Sequence, residues 1–176
     1  ARGFTWGHVP QSWERATVGG YAATRSAGQT STGYGRADAT VTKLRVATPR
    51  DDFDLGRAPG TAAGPDLQEL FMGSEGSLGI ITEVGLRLYG VPEAISAAVA
   101  QFPDLRSAVN TVIVAMQMGI PVARIELLDD VQMDACIRYS KLDGYEAKPT
   151  LFFEFHGTQA GVAEQAGQMQ ALVAEH

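Results

Sequence analysis

Hydrophobic and polar positions follow two different patterns along the chain, and the pattern changes at Gly90-Val91-Pro92. Before that point, short alternating runs are separated by glycine-rich segments. Alternation over Lys43–Pro49, polar residues at Arg50–Asp52 and a returning run at Phe53–Gly56 predict a β-hairpin. Asp66 is a predicted N-cap for a short helix that leads into a glycine-rich loop. This part of the chain therefore predicts a loop-rich unit built on short strands.

After the change, strands and helices alternate regularly. Strands are predicted at Ile95–Phe102, at Val122–Leu128 and around an alternating apolar set at Leu151, Phe153 and Phe155. Helices are predicted after Asp104, over Asp130–Tyr139 and after Thr158. The order β-α-β-α-β-α favours an antiparallel sheet with helices on one face. In the first helix, which Gly119 ends, helical spacing predicts a buried face made of Leu105, Ala108, Val109, Val112 and Met116.

Glycine is concentrated in two segments of the first part. Gly73, Gly76 and Gly79 stand within seven residues, directly before a strand that is predicted from Gly79 to Tyr89. Since glycine lets a backbone pass close to another group, this segment indicates a turn that lines a cofactor. Gly19-Gly20 is predicted to precede a helix start, where backbone N–H groups can hold a phosphate or a polar ring edge. A plain tight turn is the alternative at that place.

Composition indicates an ordinary globular protein. The 176 residues are 45% hydrophobic and 19% charged, and the net charge of −6 gives no basic surface for nucleic acid or for an anionic membrane. No apolar run approaches the roughly 20 residues of a spanning helix, so no integral membrane segment is predicted. The one cysteine, Cys136, cannot form an internal disulfide and is predicted to be a small core residue, with a reactive thiol as the alternative.

Residue patterns alone assign no catalytic residue and no metal site. Zinc-type Cys/His clusters, phosphate loops and nucleophile-elbow motifs are all missing from the sequence. His8 is predicted to be a surface group in a loop. His156 lies on the second face of its predicted strand, where a helix covering it is favoured over a role in a site. Arg124 and Glu126 share one strand face, and a solvated face is slightly favoured there over an interior site.

Several motifs together resemble a known family. The segment Gly73–Glu83, with Thr17–Gly20 upstream, resembles the second half of the flavin-binding domain of FAD-linked oxidases of the vanillyl-alcohol-oxidase type. Within that superfamily, the first part of the chain, from His8 to Asp66, is most similar to the alkylglycerone-phosphate synthases. The segments Arg124–Asp129, Met133–Leu142 and Pro149–Gly157 resemble the cap domain of the FAD-dependent D-lactate dehydrogenases.

The resemblance implies an α+β fold with two domains. Residues 1–90 correspond to the second subdomain of the FAD-binding domain, and residues 91–176 to the β-α-β-α-β-α start of an antiparallel-sheet cap domain that holds the substrate. It further implies that FAD is contacted by residues in both glycine-rich segments: Thr17, Gly19, Gly20, Thr24, Arg25, Ser26, Gly28, Glu75, Gly76, Leu78, Gly79, Ile80 and Ile81. Relatives usually carry Ser-Gly where this chain has Ala27-Gly28, with the hydroxyl one position earlier at Ser26.

The function implied by the resemblance is the oxidation of a small D-2-hydroxy acid, such as D-lactate or glycolate, by hydride transfer to the flavin. An alkylglycerone-phosphate synthase-like transferase is the second hypothesis, and a non-catalytic binding module is the third. A cytoplasmic location and a homo-oligomer are expected, while the electron acceptor is left open. The family's pyrophosphate-binding loop and histidine-rich motifs are not found in this chain, which is therefore expected to be a fragment that retains FAD poorly.

Overall fold

The computed structural model describes residues 2–56, 60 and 62–175, which fold into two compact units whose boundary lies between Val91 and Pro92. Residues 57–59 and 61, which follow the predicted hairpin, lie outside the described residues. The elements of the first unit are β1 Phe4–Thr5, α1 Val18–Ala23, α2 Ser31–Tyr34, α3 Ala37–Thr40, β2 Val41–Ala47, β3 Asp52–Gly56, α4 Leu67–Phe71, β4 Ile80–Leu86 and β5 Tyr89–Gly90. Those of the second are β6 Ala94–Gln101, α5 Leu105–Gln117, β7 Val122–Leu128, α6 Asp130–Ser140, β8 Thr150–Gly157 and α7 Gln159–Val173.

The first unit is organised on a three-stranded antiparallel sheet in the order β3-β2-β4. The predicted hairpin is confirmed, because β2 pairs with β3 from Lys43 opposite Gly56 to Ala47 opposite Asp52. Alternation along β2 buries Leu44 and Val46 in a core that also contains residues of α1 and α4. The opposite face of the sheet is charged and half-exposed: Lys43 and Arg45 each form ion pairs with Asp54 and Glu83, at 3.1 to 3.7 Å.

The first unit also contains short elements that the hydrophobic pattern does not predict. Residues 29–40 include the short helices α2 and α3, and Phe4–Thr5 form the two-residue strand β1. The strand predicted from Gly79 to Tyr89 ends at Leu86, and Tyr89–Gly90 pairs separately with β1. Both helices are only four residues long, so they lack the length over which hydrophobic periodicity becomes visible.

The second unit has the predicted antiparallel sheet, in the order β6-β8-β7. Leu151, Phe153 and Phe155 of the central strand β8 are buried against α5 and α7. The helix starts follow the capping rule, since Asp104, Asp129 and Thr158 each accept a hydrogen bond from a backbone N–H in the first turn of the helix that follows. The mixed α+β fold class is therefore confirmed. No described helix combines the length and the apolar character that crossing a bilayer requires.

The predicted buried face of α5 is partly wrong. Ala108, Thr111 and Ala115 are its buried residues, whereas Leu105 and Met116 are exposed. The small side chains let α5 approach the sheet and α7 closely. The sequence pattern does not predict this face, because the larger apolar residues on the neighbouring stripe of the helix determine the hydrophobic periodicity. Cys136 is half-buried and unpaired, which is less buried than the core position predicted for it.

We expect Phe155→Ala to lower the free energy of unfolding by about 3–5 kcal/mol, because it removes a fully buried ring from the core of the second unit. Phe152→Ala is the matched control on the opposite face of β8, where the ring is only half-buried, and it should cost about 1 kcal/mol. Urea denaturation of both variants measures the difference. Equal losses would contradict the assignment of the two faces.

Candidate functional site

The two glycine-rich segments that the sequence singles out lie side by side in the first unit. The backbone N–H of Gly73 donates to the carbonyl oxygen of Ala22 at 3.1 Å, and that of Glu75 donates to the carbonyl oxygen of Ala23 at 3.1 Å. These carbonyls belong to the C-terminal end of α1, where a helix lacks internal partners for its last carbonyl groups. The loop therefore completes the end of α1, and the contact places the two segments next to each other.

The conformation of this loop depends on three residues with positive φ. Gly73 has φ 78°, Glu75 φ 50° and Gly76 φ 84°. Glu75 is one of only three described residues other than glycine that have a positive φ. At Gly76 a Cβ atom would meet nothing within 4 Å, so the space beside its backbone is open. At Gly79 a Cβ atom would lie 2.7 Å from Val46 Cγ1 and 2.9 Å from the oxygen of Ala47. Gly79 is therefore needed by the packing of β4 on β2, whereas Gly76 borders free space.

Arg25 connects the two segments through its side chain. Nε donates to the carbonyl oxygen of Met72 at 3.0 Å, and Nη2 donates to that of Glu69 at 2.7 Å. Nη1 forms ion pairs with the carboxylates of Asp38 and Glu69, at 3.1 and 3.0 Å. A Cβ atom on Gly73 would lie 2.9 Å from Nε, so the loop packs directly on this guanidinium. The resemblance implies that Arg25 contacts FAD, and the structure shows that its guanidinium already binds four groups of the protein.

Asp38 is the buried carboxylate of this arrangement. Burial opposes its ionisation, but hydrogen bonds and the charge of Arg36, with the charge of Arg25, lower the pKa of Asp38 below 3.8 overall. Arg36 is itself held by both oxygens of Asp38, at 3.1 Å for Nε and 2.6 Å for Nη2. Asp38 therefore stays ionised and orients both guanidinium groups.

Gly19 and Gly20 lie inside the first turn of α1, and the prediction that they precede the helix is wrong. Thr17 is the N-cap, and its hydroxyl accepts the N–H of Gly20 at 3.1 Å, so the helix starts at Val18, before both glycines. Thr24 ends the helix with its hydroxyl on the carbonyl oxygen of Gly20 at 3.0 Å. A Cβ atom on Gly19 would meet nothing within 4 Å, so this position, like Gly76, is open.

The remaining predicted cofactor residues differ in the direction they face. Ile80 is 64% exposed and Leu78 is also exposed, whereas Ile81 packs against the core of the first unit. Since neighbouring residues of a strand point to opposite sides, only one of the two isoleucines can border a ligand. A Cβ atom on Gly28 would lie 2.9 Å from the backbone of Pro10, so Gly28 serves internal packing.

His8 is buried, and the prediction of a surface position is wrong. Its ring is 6% exposed and packs on Trp6 and Tyr21, with centroid distances of 4.9 and 5.2 Å. Nε2 lies 3.1 Å from Ser26 Oγ, while Nδ1 is buried without a hydrogen-bond partner. Burial lowers the pKa of His8 below its ordinary value of 6.5. The aromatic residues near His8 in the sequence were the only signal that this segment could enclose it.

The second unit holds a separate charged cluster on the face of the sheet that α5 and α7 do not cover. Arg124 forms an ion pair with Glu154 on the neighbouring strand, and His156 Nε2 lies 2.7 Å from the other oxygen of Glu154. All three side chains are partly buried, and that of Arg124 is the most exposed. The described residues contain no group of three or more His, Cys, Asp or Glu side chains placed to hold a metal ion.

Comparison with known families gives a match in each of the two units. Residues 1–52 match the family described as "FAD binding domain", and residues 91–176 match "FAD linked oxidases, C-terminal domain". The chain belongs to the FAD-linked oxidases. FAD is accordingly the cofactor of its family.

The individual relatives of the chain fall into two groups. The chain is 43% identical over 92% of its length to "Probable D-lactate dehydrogenase, mitochondrial" of Danio rerio, and 41% identical over 92% to "D-lactate dehydrogenase [cytochrome], mitochondrial" of Arabidopsis thaliana. It is 35% identical over 74% of its length to alkyldihydroxyacetonephosphate synthase of Caenorhabditis elegans. The chain spans 33%, 29% and 22% of these relatives.

Solved structures agree on the fold. Two structures of alkyldihydroxyacetonephosphate synthase, the enzyme also called alkylglycerone-phosphate synthase, superpose with TM-scores of 0.83 and 0.84. Each covers 99% of the chain, at 22% and 24% identity, and the chain covers 36% and 34% of them. At this identity the likeness concerns the fold alone.

The residues of the first unit fit one wall of an FAD site. Gly19 and Gly76 leave open space beside two neighbouring backbone segments, and Leu78 and Ile80 supply exposed apolar surface for a flavin ring. Arg25 and Gly79, by contrast, are occupied by contacts within the protein. The cofactor contacts of the individual residues remain predictions.

We expect Arg25→Lys to lower the free energy of unfolding by about 2 kcal/mol, because one ammonium group cannot replace a guanidinium that binds two carbonyls and two carboxylates. Arg45→Lys is the control, because the ion pairs of Arg45 are half-exposed and its loss should cost less than about 1 kcal/mol. Both are measured by urea denaturation. A loss for Arg25→Lys no larger than for Arg45→Lys would show that the side chain does not anchor the loop.

The lowered pKa of His8 predicts that stability falls with acidification. The unfolded chain binds a proton at His8 as the pH drops below 6.5, while the folded chain does not until its lower pKa is reached. This contribution to the free energy of unfolding is therefore fully present above pH 6.5 and is lost progressively below it, down to the folded-state pKa. Urea denaturation between pH 8 and pH 5 should show a shallower loss for His8→Phe than for the native chain. Parallel pH profiles would contradict this prediction.

Proposed function

We propose that the protein containing this chain is an FAD-dependent dehydrogenase that oxidises a small D-2-hydroxy acid, such as D-lactate or glycolate. The observation that carries this proposal is the 43% identity to a D-lactate dehydrogenase over 92% of the chain, which includes both units. Hydride transfer from the substrate carbon to flavin N5 is the chemistry that FAD supplies when it is bound.

The proposed roles of this chain follow from the geometry of its units. In the first unit, backbone groups around Thr17–Thr24 and Gly73–Gly76 approach the cofactor, because Gly19 and Gly76 leave the space for it. The exposed side chain of Ile80 excludes water from the cofactor. The first unit is then the second subdomain of the FAD-binding domain, and the second unit is the start of the cap domain that shapes the substrate pocket. No catalytic residue is assigned within the chain.

An alkylglycerone-phosphate synthase-like transferase is the second candidate. It is supported by 35% identity to the Caenorhabditis elegans enzyme over 74% of the chain. This support is weaker in both identity and coverage than that for the dehydrogenase. A cytoplasmic location and self-association remain predictions, and the names of the two D-lactate dehydrogenase relatives place those proteins in mitochondria.

Substitution of Gly19 tests the FAD wall separately from the fold. Gly19→Ala adds a methyl group to an open position inside a helix, so the fold should be unchanged or slightly more stable, while FAD affinity should fall at least about tenfold. Gly167→Ala in α7 is the matched control, since it is also helical with an open Cβ position but lies in the second unit. Flavin fluorescence titration measures both affinities. An unchanged FAD affinity for Gly19→Ala would remove this residue from the proposed site.

Gly79→Ala should behave in the opposite way. Its Cβ atom would clash with Val46 and with the backbone of Ala47, so the free energy of unfolding should fall by about 1–3 kcal/mol with or without FAD. A thermal unfolding experiment on both states detects this. Full stability of Gly79→Ala combined with lost FAD binding would instead give Gly79 a direct cofactor role.

The reaction is tested with the intact FAD-loaded protein under anaerobic conditions. D-lactate and other D-2-hydroxy acids should bleach the visible flavin absorbance, and the L-isomers should not. Absence of bleaching with every 2-hydroxy acid, together with exchange activity on an acylated dihydroxyacetone phosphate, would overturn the proposal in favour of the transferase.

A further inference from the structure

His8 and Ser26 form a pair that the proposed function does not yet use. Nε2 of His8 lies 3.1 Å from Ser26 Oγ, and within the described part of the chain His8 is the one hydrogen-bond partner of this hydroxyl. The backbone of Ser26 is fixed on both sides: its N–H donates to the oxygen of Tyr21, and its carbonyl accepts from the N–H of Ala37, both at 2.9 Å. The position of the hydroxyl is therefore set by the fold, and its direction is set by His8.

The surroundings of the His8 ring decide which nitrogen carries the proton. Nδ1 is sealed from solvent and has no hydrogen-bond partner, with Trp6 and Tyr21 packed on the ring. A buried N–H without an acceptor is among the rarest polar groups in proteins, whereas a buried acceptor without a donor is tolerated more often. We therefore assign the neutral tautomer with the proton on Nε2, which donates to Ser26 Oγ.

This assignment fixes the chemistry that Ser26 can offer to a ligand. A hydroxyl has one proton to donate, and when its oxygen accepts from Nε2–H, that proton is directed elsewhere. Ser26 is half-buried, and it directly follows Arg25, whose guanidinium binds the carbonyl oxygen of Met72 beside the glycine-rich loop. Ser26 thus belongs to the first of the two segments that form the proposed FAD wall.

We infer that His8 is a positioning residue that holds Ser26 as a hydrogen-bond donor to an acceptor oxygen of bound FAD. The inference rests on the proposed function only in taking FAD as the ligand. The acceptor is an oxygen of the pyrophosphate or a carbonyl oxygen of the isoalloxazine ring, because these oxygens of FAD can only accept a hydrogen bond, whereas its sugar hydroxyls can also donate one.

Affinity measurements on three variants test this role. Ser26→Ala should weaken FAD binding about tenfold, because it removes one hydrogen bond to the cofactor. His8→Phe keeps an aromatic ring against Trp6 and Tyr21 but cannot orient the hydroxyl, and should weaken binding by a similar factor. The double variant should be no weaker than Ser26→Ala alone, and His8→Gln, which restores a side-chain N–H donor, should bind within about threefold of the native protein. Independent, multiplying losses or an unchanged Kd for Ser26→Ala would overturn the inference.

A comparison of two flavins identifies the acceptor. If the acceptor is an isoalloxazine carbonyl, Ser26→Ala weakens riboflavin and FAD by the same factor. If it is the pyrophosphate, only FAD is affected. Either result supports the role of Ser26 as a donor, whereas no effect on either flavin contradicts it.

The tautomer is tested without substrate and without turnover. Nitrogen NMR of the His8 imidazole in the native protein should show a protonated Nε2 and an unprotonated Nδ1, and a proton on Nδ1 would overturn the inference. A protein that binds FAD and responds to the Ser26 and His8 variants as expected, but is not reduced by any D-2-hydroxy acid, would refute the proposed function alone. Normal reduction by D-lactate with no response to these variants would refute this inference alone.

Discussion

The attachment of the glycine-rich loop to the end of α1 is the interaction on which the candidate site depends. Two backbone hydrogen bonds, from Gly73 to Ala22 and from Glu75 to Ala23, join segments about fifty residues apart in the sequence. Arg25 reinforces the junction by binding carbonyl oxygens in and just after α4. Because Gly73 packs against this guanidinium, the left-handed turns at Gly73, Glu75 and Gly76 have a fixed support. These contacts set the positions of the open sites at Gly19 and Gly76 relative to each other.

Much of the fold could be predicted from the sequence, for reasons that are local. Alternation and a polar turn predict the hairpin of β2 and β3. A capping Asp or Thr before an apolar run predicts each of the three helix starts of the second unit. The exceptions are places where partners distant in sequence decide. The buried face of α5 is set by small residues that fit against α7 and the sheet, and α2 and α3 are too short to have a period.

The candidate site could be located from sequence but not resolved into roles. Glycine content and the family resemblance singled out both segments, which lie side by side in the structure, yet they treated all residues of the two segments alike. Whether a glycine serves a ligand or the core depends on what lies beside it, and only the fold shows that Gly79 faces Val46 while Gly76 faces open space. The same holds for histidine: His8 looked like a loop residue because the rings that enclose it, Trp6 and Tyr21, are brought together by tertiary structure.

The division between open and occupied positions has a practical meaning for protein engineering. A library of variants aimed at altering cofactor affinity should leave Arg25, Gly28 and Gly79 unchanged. Most substitutions at these positions would impair folding, so their effect on FAD affinity could not be measured. Substitutions at Gly19, Leu78 and Ile80 should be tolerated better, because a Cβ atom at Gly19 meets nothing within 4 Å and the side chains of Leu78 and Ile80 are exposed. The first unit thus separates a tolerant surface from an intolerant frame within the same two short stretches of chain.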